Sequence, residues 1–186
     1  MRRSTIIFIT TILSISAYGQ EIQKKIETID QYASELDSLL EPCGKSEEPC
    51  GWYMNTLVIN EDGRGWRAVG TYREVVTFWY SDQPEFAKEE HGDEKAALVK
   101  VSIRVSSTYE LTQDIYFKDG IPVLFYREYN DEYVSGEWTK FHFDETNYIN
   151  GYELKYEPLS GSGTGKPLVD YANKYMSLFL LSFTNK

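Results

Sequence analysis

The chain is poor in the residues that carry most metal, redox and nucleophilic chemistry. Its 186 residues include two cysteines and two histidines. His91 and His142 lie far apart and share no ligand spacing with the cysteines, so a zinc site lacks its donors. Cys43 and Cys50 are too widely spaced for the Cys-x-x-Cys of a redox dithiol. No Gly-x-Ser-x-Gly elbow falls on a strand-to-helix turn, because Gly161-Ser162-Gly163 sits in a Gly/Ser run. That run also fails as a phosphate loop: Ser160 stands where the first glycine belongs, and Pro167 where the hydroxyl belongs. Basic residues are scarce, 19 Lys and Arg against 29 Asp and Glu, for a net charge of −10. Such a surface repels phosphate backbones and anionic headgroups, which argues against nucleic acid or a membrane surface as partner. No metal and no cofactor is expected from this inventory.

What is present begins at the N-terminus. Arg2 and Arg3 precede an apolar run, Ile6-Ile7-Phe8-Ile9-Thr10-Thr11-Ile12-Leu13, which Ser16-Ala17-Tyr18-Gly19 ends with mostly small residues. This is the layout of a secretory signal peptide over residues 1–19, with cleavage before Gln20. The run is short for a bilayer span, and no cysteine at the cleavage point offers a lipid anchor. The expected product is an exported, periplasmic or secreted protein without membrane insertion, comprising one domain over 20–186. In an oxidising compartment Cys43 and Cys50 read as a disulfide. Its small loop is worth roughly 2.5 kcal/mol in the chain-entropy model.

Residues 20–41 show the helical period. Ile22, Ile26, Ile29, Ala33, Leu36 and Leu40 form one apolar stripe, and Pro42 stops the helix. From 52 to 157 the period becomes two, most plainly where Val99, Val101, Ile103 and Val105 alternate with Lys100, Ser102, Arg104 and Ser106. Strands are expected there and at 53–59, 66–80, 111–117, 121–129, 137–143 and 148–156, with turn residues between them. Ser81 to Lys95 reads as an exposed acidic excursion, 158–166 as a Gly/Ser linker, and 167–183 as an apolar helix. The fold class is therefore α+β: a curved antiparallel meander of about seven strands, with an N-terminal amphipathic helix and a C-terminal apolar helix packed on it. A monomer is expected, with a dimer through the last helix as the alternative.

The Asp119-Gly120 hairpin admits two registers. A two-residue turn pairs odd positions with even ones. A three-residue loop with Gly120 left-handed instead unites Leu111, Ile115, Phe117, Ile121, Val123 and Phe125 on one buried face. Burial favours the second. The opposite face then carries Asp114, Tyr116, Leu124, Tyr126 and Glu128, an acidic, tyrosine-rich surface suited to a protein, a glycan or an apolar ligand. No catalytic residue is assigned, and a non-enzymatic binding module is the leading expectation. The alternatives are a hydrolase working through carboxylates such as Asp114, Glu128, Asp144 and Glu137, and a carrier of lipids.

Overall fold

The structure, a computed structural model, describes residues 4–44, 50–66, 70–81, 96–130, 137–144, 147–153 and 166–182, with side chains from Gln20 onward except at 44, 66, 137, 144, 147–153 and 166. Helix α1 spans Ser4–Leu40. It extends back through the segment read as a leader, since no proline interrupts residues 4–40. Its end matches expectation: Pro42–Gly44 form a single 3-10 turn, and a disulfide joins Cys43 to Cys50, with Cα atoms 5.3 Å apart. Among the described residues no helix is long and apolar enough to cross a membrane.

The strands are β1 (Tyr53–Ile59), β2 (Gly65–Trp66), β3 (Gly70–Thr71), β4 (Arg73–Ser81), β5 (Ala97–Ser106), β6 (Glu110–Lys118), β7 (Ile121–Asn130), β8 (Glu137–Asp144) and β9 (Asn147–Glu153). Seven of them form one antiparallel sheet in the order β1-β4-β5-β6-β7-β8-β9. The expected strand at 66–80 is broken in two. Gly65–Trp66 and Gly70–Thr71 pair as a separate ribbon, and β4 starts only at Arg73. The break has a local cause. Asn60 is left-handed (φ 55°), and its amide donates to the carbonyls of Arg64 and Tyr72, folding the chain back on itself. The acidic excursion over 82–95, with His91, and the linker over 158–165 lie outside the described residues.

The β6–β7 hairpin combines both expected registers. Asp119 (φ 55°) and Gly120 (φ 77°) are both left-handed, as a two-residue type I′ turn requires. Next to the turn Phe117 faces Pro122; beyond it Tyr116 faces Leu124 and Ile115 faces Phe125. Val123 is the extra residue, a bulge that shifts the pairing back to odd with odd. Val123 therefore packs beside Leu124 on the α1 side and leaves the Phe125 face to which the pattern assigned it.

Each face of the sheet has its own helix. On one face α2 (Lys166–Leu181) buries Val169, Ala172, Tyr175 and Phe179 against Val76, Phe78, Val101, Ile103, Ile115, Phe117 and Phe125. Full burial of such side chains is worth about 1.5–3 kcal/mol each. On the other face the α1 stripe sets Ala33, Leu36 and Leu40 against Val99, Tyr116 and Leu124. This α1 layer is the smaller of the two.

Several tyrosine hydroxyls in these layers are buried and bonded. Tyr32 donates to the Phe117 carbonyl at 2.6 Å, and burial with the charge of Asp119 pushes its pKa up to about 12. Burial also raises Tyr116 and Tyr175. Groups that titrate higher when folded stabilise fully below their unfolded value and lose that contribution as pH rises through the folded one. The fold should therefore withstand base up to about pH 10 and lose stability steeply by pH 12. A phenolate absorbance titration run beside circular dichroism should show the last tyrosines ionising together with unfolding.

Candidate functional site

Antiparallel pairing arranges the α1 face of the sheet in rows that cross the strands. The first row is Trp79, Lys100, Tyr116, Leu124 and His142. The second is Thr77, Ser102, Asp114, Tyr126 and Lys140, and the third is Val75, Arg104, Thr112, Glu128 and Trp138. Successive rows are about 7 Å apart, two residues along each strand. Helix α1 crosses over the first row: Asp30 reaches β8, Asp37 reaches β5 and β6, and Leu40 packs in the cluster that holds Trp79. A helix is about 10 Å thick, so it covers one row and overhangs the next.

This geometry splits the acidic, tyrosine-rich face. Tyr116 and Leu124 are buried beneath α1 and serve packing. Asp114 is buried at the edge of the helix, while Tyr126 and Glu128 stay partly open. The C-terminal helix covers the opposite face, so it does not seal this one. The ring of Tyr126 stacks beside that of Trp138, with centroids 6.4 Å apart and planes 28° from parallel. Its hydroxyl donates to Glu128 at 3.2 Å.

Between the helix and the second row runs a cleft of about 780 Å³. Its wall is a polar stripe on α1 that flanks the apolar one, Asp30, Ser34, Asp37 and Ser38, continued by Glu41 just past the helix end. Its floor holds Lys100, Ser102, Arg104, Asp114, Tyr126 and Lys140, with Trp79 at the end. The charges inside form linked pairs. Lys100 Nζ lies 2.6 Å from Asp37 and 3.2 Å from Asp114, and Arg104 Nη1 lies 2.8 Å from Asp114. Lys140 Nζ is 2.6 Å from Asp30, which also contacts His142 Nε2 at 2.7 Å. The Tyr116 hydroxyl donates to Asp37 at 2.8 Å.

These pairs set the protonation states. Burial alone would raise the pKa of Asp114, but Lys100, Arg104 and a hydrogen bond from Ser102 outweigh it and hold the carboxyl below its ordinary value. Asp30 is likewise held low, because hydrogen bonds from Lys140 and His142 overcome its desolvation. Both are fixed as carboxylates, the reverse of what a general acid needs. Tyr126 is raised by burial and by Glu128, so it stays a neutral donor. Among the described residues no cluster of three or more His, Cys, Asp or Glu is arranged to hold a metal. The side chains of Glu137 and Asp144 are outside the described residues.

The polar half of this cleft escaped the sequence reading. Lys100 and Arg104 alternate with valine and isoleucine, and Asp30 and Asp37 lie off the helix stripe, so all four read as solvated. The available signal was the register: once Asp114 faces Ser102, Lys100 and Arg104 must flank it on the same face. No family model matches the chain, and comparison with curated proteins and with solved structures returns no match.

Proposed function

We propose that this protein is an exported, non-enzymatic binding module whose α1–sheet cleft holds a neutral, hydroxyl-rich ligand of the glycan class. The observation that carries this reading is a cleft whose charges already neutralise one another while aromatic rings beside it stay accessible. Lys100, Arg104 and Lys140 each face a carboxylate. A phosphate or sulfate would have to displace Asp114 or Asp30 to reach them. An acyl chain would leave the same charges desolvated. A sugar demands neither. Its apolar face suits the Tyr126–Trp138 platform, and its hydroxyls suit the fixed carboxylates, the serines and the outer edge of Arg104, whose side chain is 47% exposed. The N-terminal apolar run and the Cys43–Cys50 disulfide support export.

Affinity electrophoresis through gels containing neutral or charged polysaccharides tests the assignment. At least one neutral polysaccharide should retard the protein. Tyr126→Ala should weaken that retention about tenfold, the equivalent of 1.4 kcal/mol, with little change in melting temperature because the residue is partly exposed and belongs to neither core cluster. Retention by no neutral glycan would sink the reading. Release of reducing ends that stops in Asp114→Asn would replace it with hydrolysis.

A further inference from the structure

Among the described residues, the β1 edge of the sheet lacks the features that normally keep sheet edges apart. Its seven residues, Tyr53–Ile59, include no charge and no proline. They pair with β4 residue for residue, from Tyr53 opposite Tyr80 to Ile59 opposite Glu74, without a bulge. Among the described residues β1 has a strand on one side only. An uncharged edge without a bulge is a template for another strand.

Exposed apolar side chains gather at the same place. Tyr53, Met54, Leu57 and Ile59 are 37–52% exposed on β1. Leu180 and Leu181 are exposed at the end of α2, which reaches this edge through Asn55 Nδ2 and Ser182 Oγ at 3.3 Å. Of the other large apolar side chains that stand exposed among the described residues, Leu39 is on α1 and Ile121 is the first residue of β7.

We propose that two copies of this chain join through β1, antiparallel about a two-fold axis near Thr56, so that their sheets become one. Charge selects a second copy over a different partner. The chain carries −10 overall, so a cationic protein would be drawn to the rest of the surface and find nothing to pair with on β1. Two like-charged copies meet at least cost where neither has charge. Antiparallel strand pairing is also self-complementary, since the Tyr53 end of each copy meets the Ile59 end of the other. A strand seam alone falls short of the roughly 800 Å² per partner usual for a stable complex. Met54 on one face, with Leu180 and Leu181 on the other, widens it toward that size. The cleft under α1 is built on β4 to β8 and leaves β1 out, so the pair would present two open clefts and gain avidity on a repeating polymer.

Sedimentation velocity over a concentration series, paired with hydrogen exchange, tests this without any ligand. The protein should move from one-copy to two-copy mass, and amide exchange in β1 should slow with concentration while that in β9 stays constant. Leu57→Lys with Ile59→Lys should hold it at one-copy mass with its melting temperature kept. If that variant unfolds, Leu180→Ser with Leu181→Ser should weaken association about tenfold instead. A single copy at every concentration would overturn the proposal, and so would association that slows exchange in α1 and leaves β1 unchanged.

Discussion

Asp114→Ala should lower the free energy of unfolding by about 3–5 kcal/mol, the range seen when one partner of a buried ion pair is removed. The reason lies mainly with Lys100. Its side chain is 10% exposed, against 47% for Arg104, so Arg104 can turn toward water and Lys100 cannot. Without Asp114 the ammonium keeps, among the described residues, only Asp37 as an ion-pair partner, from an exposed position on α1. If the stranded lysine is the cause, Lys100→Met in the same chain should return much of the loss, and the two changes will be strongly non-additive. Urea unfolding of the single and double variants measures this; additive effects would place the cost elsewhere. Acid should act on the same group. The folded pKa values of Asp114 and Asp30 lie below their ordinary 3.8. Their contribution is therefore complete above about pH 4 and is lost as pH falls through the lower folded values. The stability of Asp114→Ala should depend less on pH below about 4 than that of the native chain.

Legibility in the sequence followed the range of the physics. Most strand limits were readable because burial on one face writes a period of two into adjacent residues: Val101, Ile103 and Val105 announce β5, and Ile115, Phe117 and Phe125 announce the core side of the hairpin. Val99 breaks the pattern, because a bulge opposite Trp79 and Tyr80 turns it to the α1 side. The α1 stripe was readable for the same reason at a period near 3.6, down to the buried Ala33, Leu36 and Leu40. The Val123 bulge was not. A left-handed Asp-Gly pair and a buried odd-numbered face asked for incompatible registers, and the chain satisfied both by spending one residue. The hairpin face was identified, but not how far it would be covered. That depends on where α1 crosses the rows, which Lys100–Asp37 and Lys140–Asp30 fix across long sequence separations. Local periodicity holds no record of such a contact.

The cleft wall also belongs to the less firmly held layer, so the two core clusters should respond differently to truncation. Phe179 is almost fully buried against Phe78 and Tyr80 in the larger cluster. Phe179→Ala should cost about 3–5 kcal/mol of global stability. In whatever fraction stays folded, glycan retention should be unchanged, because α2 lines no part of the cleft. Leu36 is as deeply buried, but in the smaller cluster between α1 and the sheet. Leu36→Ala should cost about 2–5 kcal/mol, and the loss should appear first as local opening of α1. Its amides would then exchange early, while those of β5, β6 and β7, still packed against α2, remain protected. Asp30, Asp37 and Glu41 would leave the cleft together with the helix, abolishing retention before the sheet unfolds. Hydrogen exchange and affinity electrophoresis on the two variants separate these outcomes. Equal acceleration of exchange in α1 and in the sheet after Leu36→Ala would mean that the two layers open as one cooperative unit.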